Sequence, residues 1–143
     1  MTEFSKAERR AVAFRRMRDA QRTEMAEDYV ELIGDLIADM GEARLTELAE
    51  HLGVTQATAS KVIQRLQREG LVESRPYRSI FLTESGTAVA IASRDRHRIV
   101  HDFLRAIGVS ETNADADAEG MEHHVSQETL DVFARLTKTL ATG

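Results

Sequence analysis

Residues 45–83 constrain this chain most. Within fewer than forty residues they switch from a helical apolar period to a strand period, with one glycine between the two helical stretches and another before the first strand. Leu45, Leu48, Ala49 and Leu52 recur at threes and fours, as do Ala59, Val62, Ile63 and Leu66, so each set lines one helix face. Gly53-Val54-Thr55 separates them, and Thr55 is placed to cap the second helix. Gly70 ends that helix. Leu71-Val72-Glu73-Ser74 and Ser79-Ile80-Phe81-Leu82-Thr83 then flank Arg75-Pro76-Tyr77-Arg78, which predicts a β-hairpin. Two short helices across a tight turn, followed by a hairpin, make a winged helix-turn-helix.

The rest of the chain reads as helix. Tyr29, Leu32, Ile33, Leu36, Ile37 and Met40 predict a helix over 24–40, stopped by Gly41. Thr83 and its neighbours open a long helix over roughly 84–106, ended at Gly108, and two more follow over roughly 110–122 and 126–141. The expected fold is therefore mainly α: a winged helix-turn-helix over 24–83 with a small wing, then a linker helix and an all-helical domain over 84–143. Residues 1–23 form a basic extension; Phe4, Ala7, Ala11 and Phe14 have helical spacing among seven basic residues, so 4–25 reads as a helix or a fraying basic segment, either a solvated tail or an arm touching DNA phosphate or a dimer partner.

Charge is unevenly spread. The net charge is −5, yet residues 1–25 carry seven basic side chains against four acidic, and residues 55–83 five against two. A local basic surface matters more for DNA than the whole-chain balance. On the second helix Thr55, Gln56, Ala57, Thr58 and Lys61 are not needed by the core. Gln can bond adenine edges, Thr and Ala can meet a thymine methyl, and Lys can reach guanine or phosphate. Arg65 and Arg68 are placed for phosphate, and Tyr77 and Arg78 at the wing tip for backbone or minor groove. The competing reading is a winged domain used only for protein contacts.

The second informative stretch is Glu119-Gly120-Met121-Glu122-His123-His124, which puts two carboxylates and an imidazole on one helix face at i, i+3 and i+4. Asp28 and Glu31 form an earlier i, i+3 pair, and His97 lies between. Each feature alone has an ordinary explanation: acidic residues in a helix's first turns complement its dipole, and a lone histidine is usually a surface residue. Together they suggest a cation site. Gly120 inside a helix hints at a close approach or distortion there. His101, one turn after His97, reads as a surface histidine or secondary ligand. His124 points about 100° from His123, and His51 should be exposed.

The chain has no cysteine, which excludes disulfides and thiolate metal sites. A metal here is held by oxygen and nitrogen, which suits manganese, iron(II), magnesium or zinc and fits a cytoplasmic protein. Four clustered carboxylates repel unless cations neutralise them, so two divalent ions would balance Asp28, Glu31, Glu119 and Glu122. No apolar run approaches 18 residues and no signal-peptide core is present, so no membrane span is expected; nor is a small organic substrate expected as a partner. Catalysis is disfavoured. An inverted zinc-peptidase motif needs His where Glu119 stands, and a di-iron bundle needs a second Glu-x-x-His copy.

On Glu27-Asp28-Tyr29-Val30-Glu31, Arg96-His97 and Asp117 to His124, the chain resembles the diphtheria-toxin-repressor family, and most closely its manganese-responsive branch, over roughly residues 24–135. The resemblance implies a homodimer that binds palindromic operator DNA when loaded with metal and represses manganese uptake genes, the metal fixing the dimer geometry. It implies Asp28, Glu31, His97, Glu119, Glu122 and His123 as ligands of Mn(II), two per subunit, with Fe(II), Zn(II) and Cd(II) as further candidates. The iron branch has Met at the position of Asp28 and Cys at that of Glu119, so oxygen donors at both favour manganese. Residues 1–23 precede the family pattern. A chain ending near residue 143 leaves no room for the SH3-like third domain of longer members.

Overall fold

The computed structural model describes residues 3–74 and 79–142. Among them, the elements run α1 (Lys6–Met40), α2 (Leu45–Leu52), α3 (Gln56–Arg68), β1 (Val72–Ser74), β2 (Ile80–Leu82), α4 (Glu84–Ala106), α5 (Glu111–Met121) and α6 (Gln127–Thr142). The chain divides into two compact units. One is Ala26–Asp95, and the other combines the N-terminal part of α1 with the chain from Arg96 onward.

In the first unit, Tyr29, Val30, Ile33 and Leu36 of α1 pack with Leu48 and Ala49 of α2, Ala59, Ile63 and Leu66 of α3, and Val72 and Ile80 of the sheet. Gly53 closes α2 in a left-handed conformation, φ 68°, that a side chain would resist, and its N–H and that of Val54 satisfy the last carbonyls of the helix. The expected cap of α3 is present: the Thr58 N–H donates to Thr55 Oγ1 at 3.1 Å, an interaction typically worth about 1 kcal/mol. The two strands pair antiparallel, with Val72 opposite Leu82 and Ser74 opposite Ile80. Ile80 also donates to the Ala43 carbonyl at 2.8 Å, tying the hairpin to the segment before α2. Nearby, the Ser79 hydroxyl donates to Glu42 at 2.8 Å, and this bond, with Arg44, holds the Glu42 carboxyl below its ordinary range. Tyr77 and Arg78, expected at the wing tip, lie outside the described residues.

Thr83 begins α4 as expected, accepting from the Gly86 N–H at 3.1 Å. Gly86 is required by packing, since a Cβ built there would stand 2.0 Å from the Leu71 carbonyl oxygen.

The second unit has its own core: Val100 and Leu104 of α4, Ala114 and Ala118 of α5 and Leu130 of α6, with Phe103 and Phe133 stacked at 4.0 Å between ring centroids.

The helix expected over 24–40 runs back unbroken to Lys6, so of the two readings of the basic segment the helical one holds. Its start is a capping box: the Glu8 N–H donates to Ser5 Oγ and the Ser5 N–H to Glu8 Oε2, both at 3.1 Å. No glycine or proline interrupts the basic segment that follows. Asp28 and Glu31 are therefore mid-helix, so complementing the helix dipole cannot explain them. Of the two readings of Gly120, the close approach is not found, because a Cβ there would meet nothing within 4 Å.

Candidate metal centre and nucleic-acid interface

Two helices of the second unit build the cluster. His97 and His101 lie one turn apart on α4, their rings stacked at 6.2 Å. On α5, Glu111, Asp115 and Glu119 recur every fourth residue, so they share a face. Glu122 caps the C-terminus of α5 with αR dihedrals, and this preserves the expected spacing from Glu119 although the helix ends at Met121.

His97 is the hub. Its Nδ1 lies 2.9 Å from Glu122 Oε2 and 3.5 Å from Glu119 Oε1, while its Nε2 lies 3.1 Å from Asp115 Oδ1. Donor atoms of His97, Glu119 and Glu122 all fall within 4.8 Å of one another. The side chain of Glu122 is fully buried, whereas that of Glu119 is 62% exposed, so the cluster opens to solvent on one side. Glu122 Oε1 is buried, accepts no hydrogen bond, and stands 3.2 Å from Nε2 of the equally buried His123.

A buried carboxylate oxygen without a hydrogen bond is costly, and carboxylates converging on one imidazole repel. Both problems are relieved by a cation. The donor set, oxygens with a minority of imidazole, fits a manganese- or iron(II)-type ion. The residues thus fit a metal.

The other histidines are bound up differently. Asp102 at 3.1 Å and Glu111 at 2.8 Å hold His101, and these two hydrogen bonds raise its pKa. His124 is exposed and lies 3.2 Å from Glu24. His51 is exposed as expected. Asp28 and Glu31, both half-buried, lie one turn apart on α1. Sequence reasoning missed Asp115 and Glu24, although each stands one helical turn before a residue it did single out.

On α3, Gln56, Ala57, Thr58 and Lys61 are exposed, as is Thr55, whose hydroxyl is committed to the cap. Gln64, also exposed and three residues after Lys61, extends this face and was not anticipated. Arg65 is half-buried and donates to Glu69 at 2.9 Å. Among the described residues, no helix is long and apolar enough to cross a membrane.

Comparison with known proteins agrees with both halves of this description. Residues 21–80 match the N-terminal DNA-binding domain of the iron dependent repressor, and residues 83–142 match its metal binding and dimerisation domain. The transcriptional regulator MntR of Escherichia coli O6:H1 is 49% identical over 138 residues, 96% of this chain and 89% of that protein. The HTH-type transcriptional regulator MntR of Geobacillus kaustophilus is 38% identical over 116 residues, 81% of this chain and 82% of that protein. The structure of a manganese-dependent transcriptional repressor in complex with manganese superposes with a TM-score of 0.71 at 30% identity. That match covers 79% of this chain but only 52% of the other, so the chain spans about half its length. With a helix-turn-helix that exposes Gln56, Ala57, Thr58 and Lys61, and a carboxylate–imidazole cluster in a separate helical unit, the chain belongs to the iron-dependent repressor family of metal-dependent, DNA-binding transcriptional regulators.

Proposed function

We propose that the protein is a cytoplasmic Mn(II)-dependent repressor of manganese uptake genes, acting as a homodimer on a palindromic operator. The observation that carries this reading is the fully buried Glu122 carboxylate beside His97, with one oxygen accepting no hydrogen bond. His97, Glu119, Glu122 and His123 would hold the metal together with Asp28 and Glu31, which the family resemblance assigns to the same ions. The manganese named for the structural relative and the all-oxygen-and-nitrogen donor set favour Mn(II) over softer ions. Two ions per subunit balance the four carboxylates.

When bound, the metal supplies the positive charge that cancels their repulsion. In its absence, Glu119 and Glu122 repel across His97, and the arrangement of the dimer is less fixed. A defined arrangement keeps the two α3 helices at the spacing of operator half-sites, about one or more DNA turns, and removes an entropic cost from DNA binding. In that complex Thr55, Gln56, Ala57, Thr58 and Lys61 meet base edges or phosphates. Arg65 reaches phosphate only by leaving Glu69. Tyr77 and Arg78 are proposed contacts from the wing.

Titration of metal-stripped protein with Mn(II), followed by the paramagnetic resonance signal of the free ion, tests the metal reading. The free signal should stay suppressed until two equivalents per subunit are added. A free signal from the first addition would refute a manganese site, and suppression ending at one equivalent would refute the second ion.

A further inference from the structure

We propose that Asp115 is a positioning residue for the metal centre, fixing which ring nitrogen of His97 faces the ligand carboxylates. This rests on the metal-centre reading and adds to it a residue outside the expected ligand set. The two ring nitrogens of His97 have different partners. Nδ1 faces Glu122 and Glu119, and Nε2 faces Asp115 at 3.1 Å. An imidazole offers a lone pair to a cation only from the nitrogen that lacks a proton, and the other nitrogen's hydrogen bond selects which one that is. An ionised carboxylate only accepts hydrogen bonds. Asp115 therefore requires the proton on Nε2, which leaves the Nδ1 lone pair aimed between Glu119 and Glu122.

The counterweight is Glu122 itself, whose oxygen 2.9 Å from Nδ1 also accepts and favours the proton there when no cation is bound. With carboxylates on both sides of the ring, the acceptor on Nε2 decides whether Nδ1 is ready to ligate. The backbone makes this placement. Asp115 precedes Glu119 by one turn of α5, so both present to α4 from the same face. Glu111, one turn earlier, meets His101 in the same way at 2.8 Å. The Asp115 side chain is 66% exposed, which puts its influence at the lower end of what such outer carboxylates contribute, about tenfold in metal affinity.

The test compares the wild type with Asp115→Ala and Asp115→Asn. With Zn(II) as a diamagnetic probe, nitrogen-15 spectra of the histidine rings should show His97 metal-bound at Nδ1, with a slowly exchanging Nε2–H. In Asp115→Ala that proton should exchange rapidly, and Mn(II) should bind about tenfold more weakly at unchanged stoichiometry. Asp115→Asn, whose amide oxygen still accepts, should recover most of both. Metal bound at Nε2, fewer ions bound by Asp115→Ala, or an alanine variant unchanged in both readouts would each overturn the positioning role. If the wild type binds no Mn(II), the metal-centre reading fails, and this role with it.

Discussion

Glu122→Gln is expected to fold as the wild type does and to lose metal-dependent DNA binding by roughly a hundredfold or more, beyond what outer-sphere changes at metal sites produce. Glutamine matches the shape of glutamate, and its amide oxygen can still accept near His97. It brings no negative charge, however, and Glu122 is the fully buried carboxylate of the cluster. In metal-free protein the same substitution removes the charge that repels Glu119, so thermal stability without metal should hold or rise. The opposite responses separate a lost ligand from a damaged fold. Unchanged Mn(II) dependence in this variant would remove Glu122 from the metal centre.

Gly86→Ala should destabilise the winged-helix unit by about 2–3 kcal/mol or more, the upper range for overpacking. The new Cβ would stand 2.0 Å from the Leu71 carbonyl oxygen. The Cβ position is fixed by the backbone and its partner is a backbone oxygen, so no side-chain rotation relieves the clash, and either the start of α4 or the residues before β1 must shift. Those same residues hold Thr83, whose N–H donates to that Leu71 carbonyl at 3.1 Å. Gly120→Ala is the control. Its Cβ would enter open space within α5, so it should stabilise by about 0.5–1 kcal/mol through lower backbone entropy in the unfolded chain. Urea midpoints at constant slope measure both. A Gly86→Ala protein as stable as the wild type would mean that the close approach to Leu71 does not exist.

Much of this was legible in the sequence because local chemistry decides it. The Gly53 turn, the Thr55 cap and the apolar spacing of Leu45 to Leu66 each specify one local geometry, and all appear. The N-terminal half of α1 was legible only as one of two readings, because Phe4, Ala7, Ala11 and Phe14 keep helical spacing but are surrounded by seven basic side chains and remain exposed. The Ser5–Glu8 capping box was the available signal. Gly120 was overread, since a helical glycine has no unique meaning without its neighbours in space. Asp115 could not be assigned from spacing alone. Its place one turn before Glu119 is visible, but its value depends on α5 lying against the His97 face of α4, which only tertiary packing determines. The same packing distinguishes Glu122, fully buried, from Glu119, mostly exposed, where the sequence treats them alike.

If metal and DNA binding are coupled as proposed, each raises the affinity of the other by the same factor. The most direct test is fluorescence anisotropy of a duplex selected from a palindromic library, titrated at fixed salt with metal-stripped protein and then with Mn(II) added. Tight, sequence-specific binding is expected with Mn(II), and only weak, salt-sensitive binding without it. Equal affinity in both conditions would contradict the coupling and leave His97, Glu119, Glu122 and His123 without a role in DNA binding.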